Sequence, residues 1–229
     1  MNGHIAIAID GPSGAGKSTL ARAAAEKFGF IYVDTGAIYR TVGYAAKARG
    51  IECKDQAAVS AMLPELKIEM SYDEAGVQRM ILNGQDVSRE IRRPEISIAA
   101  SDVSSLPAVR SFLMDMQRDM AKKHDVIMDG RDIVTVVLPD AELKIFLTAS
   151  VEDRAMRRYK ELLEKGIDTT LDEVKADIEY RDRQDSQRAA APLKPAPDAV
   201  LVDTTGNTLE ESVELLCRRI AQCREQGNG

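Results

Sequence analysis

Apolar residues fall in five short runs, at residues 5–9, 30–33, 126–128, 143–147 and 199–202, broken only by Lys144. Runs of that length without alternation predict strands buried on both faces, the signature of a parallel sheet. The segments between them carry apolar residues at helical spacing, as in Leu20, Ala21, Ala24 and Phe28 after the first run and Val213, Leu216, Ile220 and Cys223 after the last. The pattern therefore predicts an α/β fold: a five-stranded parallel sheet flanked by helices, with ligands gathered at the carboxyl ends of its strands.

The middle of the chain breaks this rhythm. Residues 66–70 alternate, 73–76 read as a turn, 77–82 alternate again, and Asn83-Gly84 is a two-residue hairpin signal. We expect a small antiparallel insert over about 62–93, whose Arg89, Arg92 and Arg93 read as a solvated face. Pro94 and Pro107 open two helices running to about Ser104 and Lys123. A helical hairpin is expected before the last strand. Ser150 with Asp153 starts its first arm, Gly166 ends it, and Thr170 with Glu173 starts the second, while Thr208 with Glu211 caps the final helix.

Chemistry enters between the first run and the first helix. Gly11-Pro12-Ser13-Gly14-Ala15-Gly16-Lys17-Ser18-Thr19 fits GxxxxGK(S/T), in which backbone N–H groups and a helix N-terminus cradle a polyphosphate. Lys17 is expected to reach the β and γ phosphates, Ser18 to hold Mg²⁺, and Thr19 to begin the helix. The motif implies a nucleoside triphosphate such as ATP without saying how it is used. Asp129, ending an apolar run, is placed to act with Ser18 on the metal, and Arg131 and Asp132 follow at the sheet edge. In the helical hairpin, Arg154 and Arg158 share a stripe with Arg157 beside them, and Arg181, Asp185 and Arg188 share another. Such stripes over a phosphate site read as a lid that stabilises phosphoryl transfer and excludes water. No Ser-His-Asp or Cys-His arrangement is present, and His4 and His124 read as surface residues. A missing general base suits an acceptor that is itself a phosphate; Asp34 is the acid that could serve a hydroxyl acceptor instead.

The remaining bounds are compositional. The chain has 229 residues and a formal net charge of −6, which argues against a nucleic-acid polymer as partner. Three cysteines without a CxxC favour neither a disulfide framework nor a zinc site, and Cys217 and Cys223 read as packing residues. No apolar run suits a membrane span, and the start at Met1-Asn2-Gly3-His4 does not read as a signal peptide, so a cytoplasmic protein is expected.

Taken together, DGPSGAGKST from Asp10, DTGAIYR from Asp34, the Asn83-Gly84 hairpin, DGRD from Asp129, KIFL from Lys144 and RDRQDSQRAAAPL from Arg181 closely resemble bacterial cytidylate kinases. The resemblance implies transfer of the ATP γ-phosphate to CMP or dCMP by a monomer with a P-loop core (1–35, 95–149 and 189–229), a nucleoside-monophosphate-binding region (36–94) and a lid (150–188). It implies that Arg40, Arg131 and Arg188 clamp the acceptor phosphate beside Thr35 and Tyr39, and that Ser101, Arg110 and Asp132 read cytosine. Arg181 and Asp185 would meet the sugar, and Arg154 and Arg158 the moving phosphoryl group. Two other readings stay open: a P-loop kinase for a hydroxyl acceptor, and a nucleotide-dependent switch with no soluble acceptor.

Overall fold

The computed structural model describes residues 4–227; Met1, Asn2 and Gly3, on which the expectation about a leader partly rests, lie outside the described residues. In chain order the elements are β1 (Ala6–Asp10), α1 (Lys17–Phe28), β2 (Ile31–Asp34), α2 (Thr35–Ala48), α3 (Gln56–Met62), β3 (Ile68–Tyr72), β4 (Gln78–Leu82) and β5 (Gln85–Asp86). There follow α4 (Pro94–Ser104), α5 (Pro107–Lys123), β6 (Val126–Gly130), β7 (Leu143–Thr148), α6 (Val151–Glu164), α7 (Leu171–Gln187), β8 (Val200–Asp203) and α8 (Leu209–Gly227).

The main sheet runs β2-β6-β1-β7-β8 with every pair parallel. Strand periodicity sorts the core into two layers. Ile7 and Ile9 of β1 pack with Leu20 and Ala24 of α1 and Leu216 and Ile220 of α8, while Ala6 and Ala8 face Val33, Met128 and Val137 on the other side. Neighbouring register sets Asp10 opposite Gly130 and Asp34 opposite Asp129, so three strands deliver their terminal carboxylates to one edge. This is the P-loop architecture expected from the runs.

The insert is a three-stranded antiparallel sheet, β3-β4-β5. Asn83 and Gly84 join β4 to β5 with φ of 50° and 83°, the left-handed pair that a two-residue hairpin turn requires. Met80 of this sheet is buried with Ile38 and Val42 of α2 and Val103 of α4, which ties the insert to the helices beside the main sheet. The hairpin of α6 and α7 has its own small core of Ala155, Leu162, Val174 and Ile178. Its arms start as expected: Ser150 Oγ accepts from Asp153 N at 3.2 Å, and Thr170 and Glu173 form a reciprocal capping box.

Some local expectations shift. Helix α1 opens at Lys17 rather than Thr19, because Gly16, not Ser18, is its N-terminal cap. Strand β3 starts at Ile68, since residues 63–65 form a 3-10 turn that carries the chain through Leu66. Helix α3 and a π-helical turn at Ile133–Val137 had no clear signal in the sequence. Among the described residues no helix is long and apolar enough to cross a membrane.

Candidate active site

The loop between β1 and α1 is locked from below. A Cβ at Gly11 would lie 1.9 Å from the carbonyl oxygen of Leu147, so only glycine lets the loop pass over β7. Lys17 is buried and donates to the Pro12 carbonyl at 2.7 Å. Burial, reinforced by the Arg131 charge, lowers its pKa to about 7. Ser18 Oγ donates to Asp129 Oδ2 at 3.0 Å, and Tyr32 Oη donates to Asp129 Oδ1 at 2.8 Å. Burial and the neighbouring Asp34 push the Asp129 carboxyl up, so a cation beside it would be welcome. Among the described residues no cluster of three or more His, Cys, Asp or Glu could hold a metal alone. Ser18 and Asp129 offer two hard oxygen donors, which fits Mg²⁺, an ion usually held by few protein groups together with phosphate and water.

Beside the loop is a cavity of about 170 Å³. All ten residues expected around the acceptor line it: Thr35, Tyr39 and Arg40 from α2, Ser101 from α4, Arg110 from α5, Arg131 and Asp132 after β6, and Arg181, Asp185 and Arg188 from the lid's return arm and its end. Their charges are already interleaved. Arg110 donates to Asp132, Arg188 lies 3.6 Å from Asp132 and 3.8 Å from Asp185, and Arg131 Nε donates to Asp185 at 2.7 Å. Burial opposes ionisation of Asp185, but Arg131, Arg188 and Arg181 override it and hold its carboxyl below the usual range. Burial and Arg131 together bring Arg181 down to about 10. Ser101 Oγ, Arg40 Nε, Arg181 Nε and Arg188 Nη2 are buried without a hydrogen-bond partner. Unpaired groups clustered on one wall are the mark of a site awaiting a polar ligand.

A second cavity of about 530 Å³ opens on the other side of Lys17, lined by residues 14–19 of the loop, by Arg157 and Arg158 of α6, and by Asn207, Thr208 and Leu209 at the start of α8. Gly14, Lys17, Ser18, Arg40, Ser97 and Arg181 line both cavities. Gly11, Pro12, Ser13 and Arg154 line neither. Arg154 is instead bonded to the Ala149 and Ser13 carbonyls at 2.9 and 2.7 Å and to Asp182 at 2.5 Å. Its stripe-mate Arg158 faces the cavity with Glu161 at 2.8 Å.

The sequence profile of cytidylate kinase matches residues 7–222. The chain belongs to the cytidylate kinase family. Similar proteins include the cytidylate kinases of Geobacter sp. (strain M21), 48% identical over 99% of this chain and 97% of that one, and of Thermosipho melanesiensis, 47% identical over 94% and 96%. That of Leuconostoc mesenteroides is 49% identical over 90% and 92%.

Within this family member, several residues take places that the pattern of the chain did not mark. Arg92 is exposed, as a solvated face requires, yet its Nη1 also lies 3.0 Å from the buried Asp34 carboxylate and it lines the larger cavity, because the insert folds back onto the end of β2. Arg89 and Arg93 line neither cavity. Gln78 was hidden in an alternating strand, yet its side chain accepts from Asp34 N at 2.8 Å and donates to Asp34 O at 3.2 Å. Asp182, in the RDRQD stretch, accepts from Ser13 N at 2.9 Å and pairs with Arg154, so it links both lid arms to the loop. Asp10 accepts from Ile133 N and Val134 N at 2.8 and 2.9 Å. Those bonds hold the turn that presents Arg131 and Asp132, although burial raises the Asp10 carboxyl to about 7.

Proposed function

We propose that this chain transfers the γ-phosphoryl group of ATP directly to CMP and dCMP, giving ADP and CDP or dCDP. The observation that carries the reading is the shared wall: two cavities meet over Lys17, Arg40 and Arg181, so phosphates held in each would face one another across fixed cations. In-line transfer between two such phosphates needs positioning and charge stabilisation more than proton abstraction.

The smaller cavity takes the monophosphate. Arg40, Arg131 and Arg188 bind its phosphate beside Thr35 and Tyr39, while Arg181 and Asp185 address the sugar. Ser101, Arg110 and Asp132 read cytosine: a carboxylate accepts from the exocyclic amine and a guanidinium donates to O2 and N3, a pairing uracil cannot match at its carbonyl. The larger cavity takes ATP, with the backbone of residues 14–19 and Lys17 around its phosphates and Arg158 over the group in transit. Arg154 acts by holding the loop through the Ser13 carbonyl. Ser18 and Asp129 would hold Mg²⁺, which supplies charge neutralisation of the donor phosphates. Asp34 is a poor base for a hydroxyl acceptor. Burial would raise its pKa, but Arg40 and Arg92 prevail and keep it ionised and occupied.

This reading divides the chain into a core (1–35, 95–149, 189–229), an acceptor region (36–94) and a lid (150–188), working as a monomer in the cytoplasm on small molecules, with no membrane or nucleic-acid polymer as partner. ADP release from ATP and Mg²⁺, measured with CMP, dCMP, UMP, AMP, GMP and shikimate and with no acceptor, tests it. Turnover confined to CMP and dCMP is expected. If no acceptor raises the rate above the control, the reading falls and a nucleotide-binding switch takes its place.

A further inference from the structure

The insert sends three contacts to the carboxyl end of β2. Tyr72 Oη donates to the Tyr32 carbonyl at 3.0 Å, Gln78 pairs with both backbone groups of Asp34, and Arg92 Nη1 reaches Asp34 Oδ2 at 3.0 Å. That same oxygen accepts from Arg40 Nη2 at 2.8 Å, while Oδ1 accepts from Ala37 N at 2.8 Å and caps α2. Asp34 is nearly inaccessible, with 3% of its side chain exposed, whereas Arg92 keeps 45%. Two guanidinium groups therefore converge on one carboxylate oxygen at the junction of the two cavities.

The charge balance gives this arrangement a consequence. Asp34 with Arg40 alone is a neutral pair, in which the only cation is committed to the acid. Asp34 with Arg40 and Arg92 carries one surplus positive charge, so the acid can be satisfied from the insert while Arg40, whose buried Nε has no partner, turns its remaining donors to a phosphate. Gln78 and Tyr72 hold the backbone beneath, which fixes where the carboxylate stands. We infer that Arg92 is a positioning residue for phosphoryl transfer, acting through the shared Asp34 oxygen to release Arg40 for the acceptor phosphate. This rests on the proposed function, and it gives the antiparallel insert a part in the reaction beyond packing.

The test is steady-state kinetics of Arg92→Gln and Arg92→Lys in the unsubstituted chain, and of Arg92→Gln combined with Arg40→Gln, alongside thermal melts. Arg92→Gln should raise KM for CMP roughly tenfold, the size of one lost charge-assisted bond, with a smaller rise of about threefold in KM for ATP, because Arg92 itself lines the larger cavity. Arg92→Lys should recover part of the loss, because charge returns without the planar fork. In the Arg40→Gln background the same change should move KM for CMP by less than about twofold, since a residue that acts through Arg40 has nothing left to position. A lowered melting temperature with KM for CMP unchanged would make Arg92 a structural brace and overturn the inference. Full multiplication of the two effects would overturn it too, by showing action independent of Arg40. Turnover of CMP by the unsubstituted chain checks the underlying reading separately: its absence removes both claims, whereas either of the preceding results removes only the role of Arg92.

Discussion

The two cavities use charge differently. The smaller cavity, proposed as the acceptor wall, sets six cations, Lys17 and five arginines, against four carboxylates, Asp34, Asp129, Asp132 and Asp185. The larger cavity, proposed as the donor wall, sets seven cations against one acid of its own lining, Glu161, with Arg40 and Arg92 also held by Asp34. In the small cavity almost every guanidinium already has an acid, so the wall is a fixed lattice whose few unpaired N–H and O–H groups define what fits. In the large one the cations outnumber any protein anion, and a polyphosphate is needed to balance them. On the proposed function, selectivity sits where charges are paired and buried, and capture of charge sits where they are in excess. The physical reason is that a paired, desolvated array has one geometry, while an unpaired field attracts anions of many shapes.

The comparison is broken most severely at the residue common to both walls. Lys17→Met should lower kcat by roughly 10³-fold with CMP and dCMP alike, while the melting temperature stays near that of the parent. Preserved turnover would remove Lys17 from the chemistry. Next comes Asp132→Asn, which leaves Arg110 without its acid and Arg188 with only Asp185, 3.8 Å away. Because a buried charge has lost its partner, a stability loss of about 3 kcal/mol is expected in urea unfolding, with KM rising for CMP far more than for ATP. An equal rise in both would mean that the paired lattice does not control selectivity.

Much of this arrangement could be read from the chain, and the failures have a common cause. Short apolar runs gave the strands because parallel strands are buried on both faces, and caps such as Thr170 with Glu173 marked helix starts because those bonds are local. The residues gathered around the acceptor cavity come from distant segments; the resemblance to a family, not their spacing, joined them. Arg92 is solvated, as a run of arginines suggests, but its second role shows only once its distant partner, Asp34, is known. Gln78 sits on the buried face of β4, where a polar residue only makes sense once the Asp34 backbone is beside it. Ile133–Val137 consists of β-branched residues that resemble a strand; its π-turn is held by Asp10, again from far along the chain. Local bonds leave a local pattern, and tertiary ion pairs leave none.

A smaller effect separates the walls by proton. Lys17 is depressed to about 7 in the free protein, so an incoming polyphosphate should raise it and draw a proton from solvent. Titration calorimetry of ATP at pH 8 in buffers of different ionisation enthalpy should report uptake approaching one proton, falling toward zero by pH 6. Affinity should drop roughly fivefold from pH 7 to 8, and Lys17→Met should abolish the uptake. The linked stability has the matching sign. Between about pH 7 and 10.5 the unfolded chain holds a proton on Lys17 that the fold does not, so the contribution of this residue to stability rises with pH across that window. Uptake that is absent at pH 8 would mean that Lys17 is already charged before phosphate arrives.

The smallest expected effect probes the charge excess itself. Screening acts most on unpaired charges near solvent and least on pairs that are buried and in contact. Raising ionic strength from 50 to 200 mM with potassium chloride should therefore raise KM for ATP by roughly threefold, because Arg157 of the donor wall bonds only to neutral Thr204, and Arg158 and Lys165 share the single acid Glu161. KM for CMP should change by less than about 1.5-fold, since Asp132, Asp185 and the guanidinium groups around them are mutually satisfied before substrate arrives. Free Mg²⁺ must be held constant, so that salt acts on the protein and not on the state of the nucleotide. Equal salt dependence for the two substrates would show that the acceptor wall, despite its pairing, also works as an open field, and the distinction between fitting a shape and capturing a charge would be lost.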